Sequence, residues 1–413
     1  MTKWQEVRLG DVCDVKGGKR LPKGVNLVTM KNAHPYIRVR DLGQGKRLQL
    51  NQNYEYVDDE TQKIISHYIV SEDDVLISIV GTIGLIGIVG NSLNNANLTE
   101  NCVKLINLRG IDKDFLYYFL ISNSGQDAIK QRTVGAVQAK LPIKNIQTIQ
   151  ILLPPLDIQK KIAGVLGALD DKIELNNRIN NNLEQQAQAL FKSWFVDKEY
   201  EVERDTTLGV ICKCELGGTP SRVKPEYWNG NIAWINSGEV NKFRIIKASE
   251  YITEIGLKHS ATKLFPRKTT VLAITGATLG QISLLEIDSC TNQSVVGILE
   301  NETLPYEFIY PYICYNIKEL LSHQTGGAQQ HINKQNVEQL ALSLPKATLI
   351  KEYKNIVAPI FELIAKNCFE SERLSALRDT LLPRLMSGEV DVSNVDISEL
   401  SSADKSSFTE ETK

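Results

Sequence analysis

GAVQAKLPIKNIQ, at residues 135–147, returns in altered form as GAQQHINKQNVEQ at residues 327–339. The two stretches lie about 190 residues apart and share their Gly-Ala start, a Gln, an Asn and the spacing of several apolar residues. A likeness at this distance is typical of a duplicated domain, provided that the intervening residues also match. The chain therefore has to be compared with itself along its whole length.

The comparison extends in the same order on both sides of this stretch. Three further pairs of segments match: residues 8–22 with 207–221, residues 36–42 with 234–240, and residues 75–84 with 271–280. The offset drifts from about 200 to 191 without a jump, which indicates small deletions within a duplication of one whole domain. A length of 413 residues also favours two or three domains over a single core.

Each repeat is followed by apolar residues at alternating steps of four and three, which is a heptad pattern. We predict that these segments are long helices that pair with each other, and that Asn176 and Asn367 fix their register from equivalent seam positions. The predicted pairing or partner-docking residues are Ile162, Leu166, Leu169, Ile173, Asn176, Leu183, Leu190, Trp194, Ile360, Ile364, Asn367, Leu374 and Leu381. The first helix should be roughly 50 Å long. Pro359 and Pro383 predict that the second helix is shorter or more bent.

The predicted fold class is α+β, with two similar α/β domains separated by two long antiparallel helices in a pseudo-two-fold tandem repeat. The predicted boundaries are 1–158 for the first domain, 159–199 for the central helix, 200–349 for the second domain, 350–390 for the C-terminal helix and 391–413 for an acidic, disordered tail. That tail belongs to an acidic run, residues 387–413, with seven acidic and two basic residues.

Positive charge is concentrated in one segment of each domain, although the net charge is only −2. Residues 19–54 hold eight Lys or Arg and one acid, and residues 219–270 hold nine against four, interleaved with aromatic residues. Basic residues mixed with aromatic and amide side chains favour a bipartite nucleic-acid reader. A solvated basic face that binds nothing is the alternative.

Candidate DNA contacts come from these two segments and from the Gln loops. They are Lys19, Arg20, Lys23, Arg38, Arg40, Lys46, Arg47, Gln138, Arg222, Lys224, Lys242, Arg244, Gln330 and His331. His331 lies opposite Ala139 in the repeat alignment, so the scaffold does not require it and it is a candidate specificity residue.

Signals for catalysis and for metals are weak. No GxxxxGK[ST] phosphate loop occurs, and GTIGLIG does not match the dinucleotide fingerprint. Asp170, Asp171 and Lys172 lie inside the heptad helix and are read as an exposed charge cluster. His323 and His331 have no further ligand candidates, so we predict no metal site.

The expected location is the cytoplasm. Seven scattered cysteines suggest neither a disulfide framework nor a zinc knuckle, and no signal peptide is recognised. The uncharged stretch at residues 75–90 contains four glycines and predicts two buried strands around a turn, rather than a membrane helix.

Three aromatic residues, Phe191, Trp194 and Phe195, close the first helix. Packing inside the protein is the simpler interpretation. A docking patch for another protein is the functional alternative.

LPPLDIQKKIA (153–163), LRDTLLPRLMSGEV (377–390) and the paired GA-x-Q loops together resemble the DNA specificity subunit of type I restriction-modification systems. The resemblance covers nearly the whole chain, although LPKATLIKEYKNI (344–356) departs from the PPL-x-x-Q form of the first helix start. It implies a non-catalytic subunit in which each target recognition domain reads one half of a split, asymmetric site in double-stranded DNA. The helices would set the gap, with half-sites about 10 bp apart.

The same resemblance implies the partners. Two adenine methyltransferase subunits would dock on the helices, and ATP-dependent translocase-endonuclease subunits would join for cleavage. S-adenosylmethionine, ATP and Mg²⁺ are expected on those subunits, with no cofactor on this chain, which lacks the [DNS]PP[YF] motif. The alternatives are an enzyme that itself cuts or methylates DNA, a coiled-coil interaction scaffold, and the specificity module of another methyltransferase or phage-defence complex.

Overall fold

A computed structural model describes residues 4–43, 45–135, 137–324 and 330–397. The chain divides into two compact units. The first unit comprises Met1–Glu174 and Arg373–Lys413, and the second comprises Leu175–Glu372. Most of the predicted acidic tail, residues 398–413, lies outside the described residues. Each unit thus contains one repeat together with a part of both long helices.

The helices of the described residues differ greatly in length. They are α1 (Leu9–Val12), α2 (Asp59–Ile65), α3 (Lys113–Ile121), α4 (Asn123–Arg132), α5 (Ile143–Gln147), α6 (Leu156–Phe195), α7 (Leu208–Ile211), α8 (Glu254–Lys258), α9 (Tyr306–Ser322), α10 (Lys334–Glu338) and α11 (Ala347–Met386). Both α6 and α11 have 40 residues.

The strands are short. They are β1 (Gln5–Arg8), β2 (Asp14–Gly17), β3 (Pro35–Ile37), β4 (Arg47–Leu48), β5 (Glu55–Tyr56), β6 (Val75–Ser78), β7 (Ile86–Val89), β8 (Asn97–Leu98), β9 (Cys102–Ile106), β10 (Gln150–Leu153), β11 (Val202–Thr207), β12 (Cys214–Leu216), β13 (Trp228–Ile235), β14 (Glu250–Ile252), β15 (Leu264–Phe265), β16 (Thr270–Ala273), β17 (Ile282–Leu284), β18 (Ser289–Thr291), β19 (Val295–Ile298) and β20 (Ala341–Pro345).

The first unit is built on two main sheets. One has the strand order β2-β9-β6-β7-β4 and the other the order β5-β3-β8, while β1 and β10 form a separate antiparallel pair. Strands β6 and β7 form the antiparallel hairpin predicted for residues 75–90. No helix in the described part of the chain is long and apolar enough to cross a membrane.

The second unit repeats this topology. Its sheets have the orders β12-β19-β16-β17 and β14-β13-β18-β15, and β11 pairs with β20. The parallel pair β13-β18 corresponds to the parallel pair β3-β8, and every other pair within these orders is antiparallel except β4-β7. A shared strand order, including a parallel pair at the same place, confirms the predicted α+β tandem repeat.

A pair of equivalent aromatic residues shows how closely the repeats agree. Tyr36 Oη on β3 donates to the carbonyl of Lys19 at 2.9 Å. Trp234 Nε1 on β13 donates to the carbonyl of Gly218 at 3.0 Å. Both contacts fix the loop that follows the first strand of the main sheet.

The strand alignment of the repeats needs a correction of one residue. Sequence comparison pairs Val75 with Val271, but the hydrogen bonds pair Val75 with Thr270, because Ser78 N bonds Leu85 O as Ala273 N bonds Gln281 O. The turn from Ala273 to Gln281 is one residue longer than the turn from Ser78 to Leu85. The sequence comparison aligned the glycines that end the two turns, and so it displaced the preceding strands by one residue.

The same shift brings two residues with left-handed backbone into register. Asp73 has a φ of +72° and Lys268 a φ of +69°. Both donate their backbone N–H to a carbonyl at the end of the hairpin that follows, Asp73 to that of Val89 and Lys268 to that of Leu285. The two residues therefore occupy one structural position, with opposite charges.

The hydrophobic core of each unit packs the sheets against helices. In the first unit, residues of α3 and α4 pack with Ile162 and Leu166 of α6. In the second unit, α9 packs with Phe191, Phe195 and Tyr353. Because Phe191 and Phe195 are only 2% and 8% exposed, they belong to this core.

Within each unit, α6 and α11 run antiparallel. In the second unit, Asn367 Nδ2 donates to Asn180 Oδ1 at 2.9 Å, and Asn176 Nδ2 donates to Glu370 Oε2 at 2.8 Å. As the residue number rises along α6, the number of its partner on α11 falls, which shows that the two helices run in opposite directions. All the side chains predicted for the helix seam are buried or half-buried.

Of the two predicted alternatives for the second long helix, shorter or more bent, the first is wrong, because α11 is as long as α6. Pro359 lies inside α11 with its side chain exposed, and Pro383 lies in the last turn. Proline removes one backbone hydrogen bond from a helix and costs about 3 kcal/mol. The fully buried neighbours Val357 and Phe361 pack into the core and offset that cost.

Candidate nucleic-acid interface

The first predicted basic segment begins with a loop whose start is fixed by an ion pair, which we call the clasp. Arg20 Nε donates to Glu100 Oε1 at 2.7 Å, although the Arg20 side chain remains 81% exposed. At the equivalent place in the second unit, Thr219 Oγ1 donates to Gln293 Oε1 at 2.6 Å. The clasp is repeated while the residues that make it differ.

Two further candidates lie on this loop. Lys19 is exposed and its Nζ lies 5.4 Å from the centroid of the Tyr68 ring. Lys23 is exposed and, like the nearby Lys31, has no ion pair with any described residue. These lysines are available to phosphates without breaking an internal ion pair.

Arg38 and Arg40 share two acidic partners, Glu55 and Asp41. Both guanidinium groups form ion pairs with Glu55, at 2.9 Å for Arg40 Nη2, and Asp41 accepts the backbone N–H of Arg38 at 2.7 Å. Burial raises the pKa of Asp41 to about 6, against the opposing effect of the Arg40 charge. The two arginines are held in place by acids rather than left free in solvent.

Lys46 and Arg47 are also paired. Lys46 Nζ lies 2.8 Å from Asp114 and 5.0 Å from the centroid of the Tyr118 ring, with only 12% of its side chain exposed. Arg47 Nη1 lies 3.0 Å from Asp73. Lys46 is thus placed within the packing of the first unit, while Arg47 remains partly exposed.

Arg244 is the counterpart of Arg47. The residue after Arg47, Leu48, pairs in parallel with Val89, and the residue after Arg244, Ile245, pairs in parallel with Leu285. The Arg244 side chain is fully buried, its Nη2 lies 2.6 Å from Glu184 of α6, and its guanidinium carbon lies 4.7 Å from the centroid of the Tyr310 ring. This burial corrects the choice of Arg244 as a candidate DNA contact. A guanidinium without solvent access cannot meet a phosphate unless its ion pair is broken.

The second basic segment carries a stacked arginine. Arg222 makes two hydrogen bonds to Glu250, at 2.6 and 2.8 Å, and its guanidinium carbon lies 3.6 Å from the centroid of the Trp228 ring. The bond to Glu250 raises the pKa of Arg222 further. Half of this side chain is exposed, so it forms a rigid, cationic surface feature.

The two remaining lysine candidates also have local partners. Lys224 Nζ donates to Tyr227 Oη at 2.9 Å, and Lys242 Nζ lies 2.8 Å from Glu239. Tyr227 and Glu239 are buried, so both lysines are attached to the protein surface at fixed points.

The Gln loop of the first unit is a closed hairpin. Val134 and Lys140 exchange two backbone hydrogen bonds of 2.8 Å, and Lys140 also bridges to Val80, beside the glycine turn that follows β6. Val137 and Gln138 at its tip are exposed. Ala136 lies outside the described residues.

The corresponding element of the second unit is described in part, since residues 325–329 lie outside the described residues. His331 bridges to Thr275, and the backbone of Gln330 accepts a hydrogen bond from Gly276 N at 3.3 Å. Both Gln330 and His331 are exposed. The described end of this element, Gln330 and His331, therefore also lies beside the glycine turn of its sheet.

His331 corresponds to Lys140, which corrects its pairing with Ala139. Leu141 N donates to Ile79 O and Ile332 N donates to Ile274 O, both at 3.0 Å, so the residue before each is equivalent. Lys140 was missed as a candidate contact. Aligning the buried residues that follow the loops, rather than the glycines that open them, would have found it.

Trp194 is the exception among the aromatic residues that close α6. It is half-buried, its ring centroid lies 5.9 Å from that of Tyr353, and it lines a cavity of about 350 Å³ with Tyr200, Lys346 and Leu349. This cavity is compatible with a partner side chain.

The described residues contain no cluster of three or more His, Cys, Asp or Glu side chains that could hold a metal ion. All seven cysteines are free, and burial raises the thiol pKa of Cys13, Cys102 and Cys212 to about 12. These thiols remain protonated at neutral pH and are weak nucleophiles and ligands.

Residues 1–185 and 201–378 match the family model of the type I restriction modification DNA specificity domain, and the chain belongs to this family. The model matches twice, once in each repeat, in agreement with the duplicated topology. The chain is therefore a DNA specificity subunit of the type I restriction-modification class.

Individual relatives agree over most of the chain. It is 24% identical to the type I restriction enzyme MjaIX specificity subunit of Methanocaldococcus jannaschii, over 94% of both chains. It is 25% identical to the HindI specificity subunit of Haemophilus influenzae, over 67% of this chain and 77% of that protein. The crystal structure of an S subunit from M. genitalium shares the fold with a TM-score of 0.57 and 17% identity, covering 93% of this chain and 96% of that one.

Proposed function

We propose that each repeat reads one half of a bipartite, asymmetric site in double-stranded DNA, and that the chain does so without catalysing a reaction. The observation that carries this proposal is one scaffold presented twice with different surface residues. Two copies of one reader would recognise a symmetric site, whereas divergent copies are suited to two different sequences.

The differences are concentrated in the loops that the sheets present. The ion pair of Arg20 with Glu100 becomes the neutral pair of Thr219 with Gln293. Among the described residues, an arginine stacked on a tryptophan is found in the second unit only, where Arg222 lies over Trp228. Because base identity is read by side chains in the grooves, such changes on a constant frame support different half-sites.

The long helices support the proposal that partners dock on them. In the second unit, α6 exposes 42% of Leu175 and 36% of Ile179, and α11 exposes 41% of Leu363. Apolar side chains on the outer faces of paired helices fit partner helices. We infer two adenine methyltransferase subunits here, with translocase-endonuclease subunits joining the complex, and S-adenosylmethionine, ATP and Mg²⁺ bound by those subunits.

The test is to co-express the chain with a candidate methyltransferase subunit from the same genome, in a host that lacks adenine methylation. The complex is purified, and methyl-adenine is mapped by single-molecule sequencing. A split motif with a fixed gap, absent when either protein is expressed alone, is the expected result. A well-formed complex that leaves no split methylation motif would overturn the bipartite reading.

A further inference from the structure

A glutamate occupies the same sheet position in both repeats. In the first unit, Glu55 of β5 pairs with Tyr36 of β3, and in the second unit Glu250 of β14 pairs with Trp234 of β13. Tyr36 and Trp234 are equivalent, because each also pairs in parallel with the strand on its other side. The two glutamates opposite them are therefore equivalent, and we call them the strand glutamates.

Each strand glutamate binds an exposed arginine, which comes from a different part of each repeat. Arg40, which follows β3, donates from Nη2 to Glu55 Oε2 at 2.9 Å. Arg222, on the loop between β12 and β13, donates from Nη1 and Nη2 to the two carboxylate oxygens of Glu250, at 2.6 and 2.8 Å. The Arg40 side chain is 56% exposed and that of Arg222 is 53% exposed. Both repeats thus present an arginine to solvent beside the same strand position.

The orientation of Arg222 is fixed by aromatic packing as well as by its ion pair. Its guanidinium carbon lies 3.6 Å from the centroid of the Trp228 ring. Trp228 Nε1 donates to the carbonyl of Ser221 at 3.1 Å, and the ring packs edge-on against the buried Trp234 with centroids 5.1 Å apart. A side chain held in this way loses little conformational freedom when it binds, which favours affinity and a defined geometry.

The ion pair leaves one edge of the guanidinium group available. Arginine has five N–H donors in one plane. Arg222 uses two of them, one on each terminal nitrogen, and makes no other hydrogen bond to a described residue. The N–H of Nε and an N–H of the neighbouring terminal nitrogen therefore remain side by side as parallel donors.

These remaining donors fit a base better than a phosphate. Guanine presents two acceptors, N7 and O6, on its major-groove edge, and a pair of arginine donors matches them. A phosphate responds mainly to net positive charge, which the carboxylate of Glu250 already compensates.

We propose that Arg222, positioned by Glu250, reads a guanine in the half-site of the second repeat. This inference rests on the proposed DNA-reading function and adds to it the base and the residues that contact and position it. Glu250 is a positioning residue, because it acts through Arg222.

The experiment uses the complex of this chain with the methyltransferase subunit. Methyl-adenine mapping gives the motif, and fluorescence anisotropy measures binding to the cognate duplex, to duplexes with single base-pair changes, and to an unrelated duplex. Arg222→Lys keeps the charge but loses the parallel donors. It should relax one G·C position in one half-site, where discrimination falls by about 5- to 150-fold. All other positions, and binding to the unrelated duplex, should stay unchanged.

Glu250→Gln tests the positioning role. It should relax the same G·C position, because Arg222 loses its anchor, and should tighten binding to the unrelated duplex, because a negative charge is removed. Arg222→Lys combined with Glu250→Gln should relax that position no further than Arg222→Lys alone, since the two residues act as one unit.

A matched control changes an arginine elsewhere on the surface. Arg109→Lys alters a half-exposed arginine that pairs with Asp14 in the first unit, and should leave the motif unchanged. Exposed ion pairs contribute little to stability, so all of these variants should fold. Thermal unfolding of each complex checks this.

An unaltered motif in the Arg222→Lys complex overturns the inference. An equal loss of binding to cognate and unrelated duplexes in Arg222→Ala, with the motif retained, also overturns it, because that result identifies a phosphate contact. Relaxation at an A·T pair would show that the base is not guanine. The proposed function fails in a different way, when the wild-type complex itself yields no split motif, and the inference then falls with it.

Discussion

Asn180 Oδ1 accepts a hydrogen bond from Asn367 Nδ2 across the paired helices of the second unit, at 2.9 Å. Asn180 is 2% exposed and Asn367 is 7% exposed, so the bond lies inside the seam. Their neighbour Asn176 bonds Glu370 and Ser371 of α11. A polar layer in an otherwise apolar seam favours one register, because every shifted pairing buries amides without partners.

The polar layer can be tested with a double-mutant cycle. Asn180→Leu should destabilise the protein by about 1 to 3 kcal/mol, because the Asn367 amide stays buried without its acceptor. Asn180→Leu combined with Asn367→Leu should recover most of that loss, since both polar groups are removed together. Urea unfolding gives the free energies. Additive losses in the double variant would show that the two amides do not interact.

Arg244 is predicted to be a packing residue. Arg244→Ala should cost about 3 to 5 kcal/mol, because it leaves the Glu184 carboxylate without its buried cation. Lys192→Ala, which removes an exposed ion pair with Asp197, should cost less than about 1 kcal/mol. Thermal unfolding monitored by circular dichroism compares the two. Equal stability of Arg244→Ala and wild type would return Arg244 to the candidate DNA contacts.

Arg38 and Arg40 should affect one half-site only. Replacing both by Ala should weaken recognition of the first half-site and leave the second intact, as mapped from the methylated motif. This change also leaves Glu55 without the two arginines that it pairs with. The matched variant therefore adds Glu55→Gln, and any loss of recognition that remains in it reflects DNA contact. Glu55→Gln alone removes one acidic partner of each arginine, while Asp41 remains beside both, and should tighten binding. An equal loss at both half-sites would contradict the assignment.

Asp41 should make the stability of the protein depend on pH. Its pKa in the folded protein is about 6, above the ordinary value of 3.8. As pH rises from about 4 to 6, the unfolded chain loses this proton first, so folding loses stability in that window and the loss is constant above it.

Asp41→Asn keeps an oxygen acceptor for the Arg38 backbone and removes the titration. The variant should gain roughly 1 to 2 kcal/mol on the wild type between pH 4 and pH 7, after allowance for screening. Urea unfolding at several pH values measures this difference. A difference that stays flat or reverses across the window would mean that Asp41 is already ionised when buried.

Local patterns in the sequence predicted the architecture. Heptad spacing located both long helices, and the Asn seam positions fall where the helices pair. Glycines and β-branched residues predicted the hairpin of β6 and β7. Each of these features depends on residues that are close together in the sequence, which is why it could be predicted. The duplication provided a second copy of each feature for comparison.

Local patterns could not predict whether an individual Lys or Arg side chain is exposed to solvent or paired with an acid inside the protein. Lys46 pairs with Asp114 and Arg244 with Glu184, and each acid is about 60 or more residues distant in sequence. A count of basic residues in a segment treats every Lys and Arg as exposed, whereas their exposure depends on the folded structure. A one-residue deletion likewise hid the equivalence of Lys140 and His331, because the alignment followed the loop glycines instead of the buried strand.

The opposite charges at Asp73 and Lys268 limit how freely the two modules can be exchanged. Lys268 lies 3.2 Å from Glu362, a residue of α11 outside the recognition fold itself. Asp73 instead forms ion pairs with Arg47 and Lys113 of its own unit, so its charge is already compensated within the first module. A first module placed in the second position would therefore lose the ion pair that Lys268 makes with the helix and bring no cation at this position to replace it.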